Sequence, residues 1–352
     1  MSSLSNRLSP WLHQQWQQAG VLSWLLAPIA ALVGVMLTLR RGWYASQPGR
    51  AYRAPVPVLI VGNIYVGGTG KTPVVIALVQ ALQARGWRPG VISRGYGVKA
   101  GPQPRTGKGR VSAEQFGDEP ALITQQTGAP VAVHPNRRLA VEALLRTYPD
   151  TNLIISDDGL QHLALARDIE IVVQDARGVG NGRLMPAGPL REPASRLARV
   201  DAVITHEATP SSAPDLAPPH KVTGAVRHAR MRLQACGFRH LCDGEVLTAD
   251  LFARRYTHRT LGAAAGIGVP ERFFATLRQL GLKLDWTLPL PDHHAFSVSP
   301  FTNRHADAIL ITAKDAVKCQ ALNDDRLWVV DVTARLSDAG FNDWLSKRLQ
   351  QR

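Results

Sequence analysis

The run Gly67-Gly68-Thr69-Gly70-Lys71-Thr72 has the residue types needed to hold a phosphate. Glycines let backbone N–H groups close on an anion in conformations barred to residues with a Cβ. A lysine at this spacing reaches outer phosphates, and the following hydroxyl can ligate Mg²⁺. The full pattern G-x-x-x-x-G-K-[ST] asks for glycine where Tyr65 stands, so the end of the motif is met and its start is not. Context supports a cradle nonetheless. "VLIVGN" before it reads as a buried strand and "TPVVIALVQALQARG" after it as a helix, whose N-terminus adds positive potential. The expected nucleotide-binding stretch is therefore Tyr65, Val66, Gly67, Gly68, Thr69, Gly70, Lys71 and Thr72.

Such a cradle needs a carboxylate on a neighbouring strand to hold or orient Mg²⁺. "NLIISDDGLQH" supplies Asp157 and Asp158 at the end of an apolar run, where ligands bind in open α/β sheets. Gln161 and His162 follow and can orient either the phosphate or the loop. A base for an acceptor hydroxyl is a further requirement of phosphoryl transfer. Asp118 and Glu119 in "GDEP" head a helix, where capping and catalysis are equally open readings. Asp292, His293 and His294 in "PDHHAF" fit a metal site, a catalytic site or a polar turn.

The elements that must position these residues alternate. Apolar β-rich runs at 58–63, 90–93, 129–133, 152–159, 169–175 and 201–206 alternate with segments of helical spacing, which predicts a mostly parallel sheet with helices on both faces. Residues 98–117 read as a polar loop, and the Pro/Ala/Ser-rich 207–221 as a linker. Beyond it, "TLGAAAGIGVPERFFATLRQLG" and "AILITAKDAVK" predict a smaller second α/β unit. A length of 352 residues suits two domains. The formal charge of +14 draws the chain to polyanions without choosing among nucleic acid, lipid surface and phosphorylated substrate. Three cysteines are too few for a disulfide scaffold, and Cys236 and Cys242 lack zinc-like partners.

Val21 to Leu39 carries no charge and would reach roughly 28 Å as a helix, near a bilayer's hydrocarbon thickness. Pro28 and Gly34 interrupt it, and Trp11, Trp16, Trp24, Trp43 and Tyr44 are interface-type residues. Membrane association, either spanning or lying in the interface, is expected, with Arg40, Arg41, Arg50 and Arg53 meeting anionic headgroups on the cytoplasmic side.

In order along the chain, "VGNIYVGGTGKTP", "SRGYG", "GDEP", "SDDGLQH", "LMPAGPLREP", "AGIGVPERFF", "PDHHAF" and "TAKDAVK" closely resemble the tetraacyldisaccharide 4'-kinase family, over about residues 10–345. The departure at Tyr65 is shared by that family. The resemblance implies a P-loop NTPase-like α/β kinase with a second α/β domain and an N-terminal hydrophobic helix. It implies ATP and Mg²⁺ as cofactors and the 4'-hydroxyl of a tetraacyl glucosamine disaccharide 1-phosphate, the lipid A precursor, as acceptor. Location on the cytoplasmic face of the inner membrane follows, with no nucleic acid and no obligate protein partner. Lys71 and Thr72 would bind phosphates and Mg²⁺, with Asp157 and Asp158 as further Mg²⁺ residues; Gln161 and His162 would line the cleft. Asp118 would take the acceptor proton while His293 raises its basicity, and Arg137, Arg191 and Glu192 match further active-site positions. The expected division is 1–54 for membrane association, 55–220 for the kinase core, 221–335 for the smaller domain and 336–352 for a C-terminal helix. The second unit would close over the first, a lid-type motion.

Rival readings are a membrane-docked P-loop switch ATPase of the partitioning type and an anion-binding module without turnover. The former carries a lysine directly before the paired glycines, where this chain has Val66. A nucleic-acid binder finds no aromatic-basic or helix-turn-helix signal.

Overall fold

The computed structural model describes residues 15–16, 19–47, 49–99, 101–207 and 226–351. After the helical residues 15–16 come α1 (Val21–Leu25) and α2 (Ala27–Ala45). The first half continues with β1 (Val58–Gly62), α3 (Lys71–Gln83), β2 (Pro89–Ser93), β3 (Arg105–Gly107), α4 (Ala113–Phe116), α5 (Asp118–Thr127) and β4 (Val131–Val133). It ends with α6 (Arg137–Thr147), β5 (Leu153–Asp157), β6 (Ile169–Asp175) and β7 (Ala202–His206). The second half holds β8 (Arg227–His240), β9 (Val246–Leu247), α7 (Ala249–Arg255), β10 (Leu261–Ala265), α8 (Pro270–Gln279) and β11 (Trp286–Pro289). After these come β12 (Ala308–Thr312), α9 (Ala313–Cys319), β13 (Leu327–Leu336) and α10 (Phe341–Gln350).

Among the described residues all thirteen strands belong to one sheet, ordered β11-β10-β12-β13-β8-β7-β6-β1-β5-β2-β4-β3, with β9 paired to β8 off this path. Pairing is parallel except at β13/β8, β8/β9 and β3/β4. The mostly parallel α/β architecture read from the alternating runs is therefore the architecture found. Strand β8 joins the halves: its start runs parallel to β7, and Met231–His240 runs antiparallel to β13. The polar stretch 98–117 is more ordered than a plain loop, since it contains β3 and α4. The junction at 220/221 falls outside the described residues.

Side-chain alternation along the strands sorts the core by face. Leu59 and Val61 of β1 share one cluster with Ile309 and Ile311 of β12, and α3, α5, α9 and α10 cover it. This core runs unbroken beneath both halves. On the opposite face, Val58 and Ile60 join the α6 residues Val141 and Leu144, whereas Ala308 and Leu310 join Phe273, Phe274 and Leu277 of α8. That face carries two separate cores. The C-terminal ends of β1, β5 and β6 open onto a common edge beside the N-terminus of α3, the side on which the candidate residues gather.

Helices α1 and α2 divide at Leu26, with Pro28 in the first turn of α2. Ser23 and Ala30 are buried, while Leu25, Ile29, Leu32, Met36, Leu39 and Trp43 form an exposed apolar stripe at three- and four-residue spacing. No helix among the described residues is long and apolar enough to cross a membrane. The inward face rests on the loop between β6 and β7. Ser23 Oγ donates to the Ala187 carbonyl at 2.5 Å, Arg183 donates to the Ser23 carbonyl at 2.8 Å, and Trp16 Nε1 donates to the Pro186 carbonyl at 3.1 Å.

Candidate active site

The phosphate-type loop connects β1 to α3. Gly67 and Gly70 adopt φ of 91° and 88°, in the left-handed region open to glycine. A Cβ on Gly70 would lie 2.8 Å from Nδ1 of His206. Asn63, at the tip of β1, ties the loop from within: its Nδ2 donates to the Gly67 carbonyl at 3.1 Å and to Thr69 Oγ1 at 3.3 Å. Arg177 closes the outer side by donating to the Gly68 carbonyl at 2.8 Å.

Two residues of the expected cradle face elsewhere. Val66 donates its N–H to the Pro189 carbonyl at 2.9 Å, and Tyr65 is buried, bridged to Leu190 and covered by Arg177 at 4.4 Å from its ring centroid. The Tyr65 ring thus supports the loop from beneath, and the Val66 N–H is engaged by the Pro189 carbonyl.

Lys71 heads α3 with its Nζ 3.4 Å from Asp158 Oδ1. Asp158 also takes a two-pronged contact from Arg191, at 3.0 Å and 2.8 Å. Burial pushes the Asp158 carboxyl up, but Lys71 and Arg191 outweigh it and hold the group below the usual carboxylate range. Its φ of 50° is uncommon for a residue other than glycine, a conformation that functional sites often retain. Arg191 further donates to Asn63 Oδ1, and Gln161 Nε2 donates to the Asn63 carbonyl at 3.1 Å and to Glu192 at 2.8 Å. Glu192 in turn receives Arg41 from α2. Lys71, Asp158, Arg191, Gln161 and Glu192 thus form one network.

Asp157 is fully buried at the end of β5. Burial, and then the negative charge of Glu119, push its carboxyl up to about 7, against the opposing pull of Lys71. Its Oδ1 has no hydrogen-bond partner, and Ser93 Oγ lies 3.5 Å from Oδ2. Arg137 lies behind the pair of aspartates; burial lowers its guanidinium to about 10 while both carboxylates raise it. His162 is brought down to about 4 by burial and by Arg137 and other arginines, which makes it a neutral ring at pH 7.

The second cluster bridges the halves. Asp118 opens α5, and His293 sits in the loop between β11 and β12 with φ of 60°. His293 Nδ1 meets Asp118 Oδ2 at 2.9 Å, and Lys318 Nζ reaches the same oxygen at 3.0 Å. Burial raises the Asp118 carboxyl, yet the hydrogen bond from His293 and the charge of Lys318 prevail and hold it below its ordinary value. The expectation that His293 strengthens Asp118 as a base thus meets the opposite electrostatics: these partners favour the ionised carboxylate. The contact brings "GDEP" and "PDHHAF" together across the two halves.

Asn63, Arg177, Lys314 and Lys318 escape the sequence reading. Lys314 and Lys318 carried a signal, four-residue spacing just inside a helix that follows a strand; Asn63 carried only its place at a strand end. Arg41 turns inward to Glu192, whereas Arg53 pairs with Asp168 at 3.2 Å while its own side chain stays exposed.

Comparison with known proteins places relatives beside this chain. A tetraacyldisaccharide 4'-kinase from Bordetella parapertussis is 58% identical over 342 residues, covering 97% of this chain and 96% of that protein. Its counterpart from Herminiimonas arsenicoxydans is 46% identical, covering 94% and 93% respectively. The crystal structure of LpxK from Aquifex aeolicus, an "apo" form in complex with ATP, superposes with a TM-score of 0.77 at 27% identity over 94% of this chain and 99% of that one. With the family profile of the tetraacyldisaccharide-1-P 4'-kinases matching residues 22–350, the chain belongs to that family.

Proposed function

We propose that the protein moves the γ-phosphate of ATP onto the 4'-hydroxyl of a tetraacyl glucosamine disaccharide 1-phosphate in lipid A biosynthesis, as its family does. The observation that carries the site assignment is the Asp118–His293 contact of 2.9 Å, made from opposite halves beside the phosphate loop. In this reading the loop N–H groups from Gly67 onward and Lys71 hold the triphosphate. Asp118, ionised by its partners, accepts the acceptor proton through its remaining oxygen. Arg191 and Lys71 fix Asp158, and Glu192 and Gln161 brace Arg191's surroundings.

Mg²⁺ fits the donor set. Among the described residues no group of three His, Cys, Asp or Glu forms a metal cluster, so the ion would be held by the Thr72 hydroxyl, Asp157 and phosphate oxygens. The orphaned Oδ1 of buried Asp157 is the observation that supports this, and Asp158, engaged by two cations, is the less available oxygen source. When bound, the ion would neutralise charge on the β- and γ-oxygens.

The apolar stripe of α1 and α2 supports residence on the cytoplasmic face of the inner membrane, lying in the interface. An acceptor whose acyl chains stay in the bilayer would then meet ATP at one cleft. The test is radiolabelled ATP with the lipid disaccharide acceptor, followed by mapping of the labelled hydroxyl. Label on the 4'-oxygen is expected. Label elsewhere, or ATP consumption indifferent to the lipid, overturns the proposal.

A further inference from the structure

Helix α9 sends two lysines, four residues apart, across the junction onto the first turn of α5. Lys318 takes Asp118, as described. Lys314 Nζ lies 2.9 Å from Asp292 Oδ1, 3.8 Å from Glu119 Oε1 and 3.4 Å from Nε2 of His293. It is mostly buried. Although burial alone lowers its ammonium's affinity for the proton, Glu119, Asp292 and Asp118 outweigh that and keep Lys314 charged.

The two ring nitrogens of His293 therefore face opposite demands. An ionised carboxylate only accepts, so Nδ1 must carry a hydrogen toward Asp118. An ammonium only donates, so Nε2 must offer its lone pair toward Lys314. A single protonation pattern satisfies both: a neutral imidazole with its hydrogen on Nδ1. Asp292 Oδ1 lies 3.9 Å from Nε2 and would favour the opposite pattern, but it is itself claimed by the nearer Lys314.

We propose that Lys314 is a positioning residue that sets the tautomer of His293 and keeps the ring uncharged, so that Asp118 remains basic enough to take a proton from the acceptor. Asp118 already bears Lys318 on the oxygen that His293 contacts. A second full positive charge at Nδ1 would weaken it as a base. The charged or titratable groups around the ring are Asp118 and Glu119 from α5, Asp292 from its own loop, Lys314 and Lys318 from α9, and Tyr96 with its ring centroid at 5.1 Å. With Lys314 removed, Asp292 and Glu119 would draw a proton onto Nε2.

This proposal rests on the reading of Asp118 as the base, and two measurements separate the fate of one from the other. In the full-length enzyme with ATP and the lipid acceptor, Lys314→Met should keep the KM for ATP within about twofold. It should lower kcat at pH 7 roughly tenfold or more, and move the acid limb of the pH–kcat profile to higher pH, with Lys314→Arg restoring most of the loss. An unmoved limb, or a loss equal at every pH, overturns the role of Lys314 while leaving Asp118 in place. The second measurement needs no turnover: ¹⁵N long-range correlation spectra of histidine-labelled protein at neutral pH, with the His293 signals identified by their loss in His293→Gln. A hydrogen on Nδ1 in the wild type, and protonation of both nitrogens in Lys314→Met, are expected. A wild-type hydrogen on Nε2 sinks the proposal. Wild-type activity in Asp118→Asn would instead remove the base assignment on which it stands.

Discussion

Asp118 and His293 lie 175 residues apart in the chain, and Oδ2 of one meets Nδ1 of the other at 2.9 Å. Neither half of the protein holds both. Asp118→Asn keeps the shape and removes the base, so kcat should fall roughly a hundred- to ten-thousand-fold with ATP binding largely kept. Steady-state kinetics with the lipid acceptor, alongside direct nucleotide-binding measurements, check this; near-wild-type turnover would exclude Asp118 as base.

Lys71 and Gly70 should fail for different reasons. Lys71→Ala removes the cation facing Asp158 and should reduce kcat/KM by about 10²–10³-fold while the fold survives. Gly70→Ala forces a Cβ toward His206 at a φ of 88°, a backbone cost of roughly 1–2 kcal/mol before the clash is counted. It should lower both the melting temperature and ATP affinity. Calorimetry on the two variants distinguishes lost chemistry from a distorted loop.

Asp157 makes stability depend on pH with a definite sign. Its carboxyl is raised from 3.8 to about 7 in the folded protein, so the contribution is fully present below 3.8 and is lost as pH rises through about 7. Asp157→Asn should flatten that decline and stabilise the protein at pH 8 by roughly 2–4 kcal/mol, while phosphoryl transfer is lost. Denaturant titrations of both proteins from pH 5 to 8, without nucleotide or divalent ion, provide the comparison; a wild type with no decline over this range refutes the assignment.

The apolar stripe gives a fourth expectation. Leu32 and Leu39 are exposed on α2, so Leu32→Glu with Leu39→Glu should leave the melting temperature nearly unchanged. Each loses roughly 1.5–3 kcal/mol of apolar burial in lipid, more than tenfold in partitioning per residue. Co-sedimentation with anionic vesicles reads this, and undiminished pelleting would argue against an interfacial role.

What the sequence displayed and what it hid follow from the range of the forces involved. The loop at Gly67–Thr72 and the Asp157-Asp158 pair were legible because strand, turn and helix are specified by neighbouring residues. The pairing of Asp118 with His293 was not, since each reads locally as a cap or a polar turn; only family resemblance joined them. Nor did spacing reveal β8, where Arg, His and Gln alternate with Ala229, Met231 and Leu233 along a strand that joins both halves into one sheet. The orientation of Tyr65 was hidden for a related reason: motif position says nothing of which way a side chain turns, and this one is held inward beside Leu190.

The loop that receives Ser23 through Ala187 and Arg183 continues within a few residues to Arg191 and Glu192, and Glu192 is itself gripped by Arg41 of α2. The C-terminal part of α2 is therefore tied, through Glu192, to the residue next to the guanidinium that steadies Asp158. Under the interfacial reading, the lateral pressure and fluidity of the host lipid become kinetic variables. Cells that remodel their acyl composition on cooling would, by the same linkage, retune this enzyme without changing its concentration or its substrates.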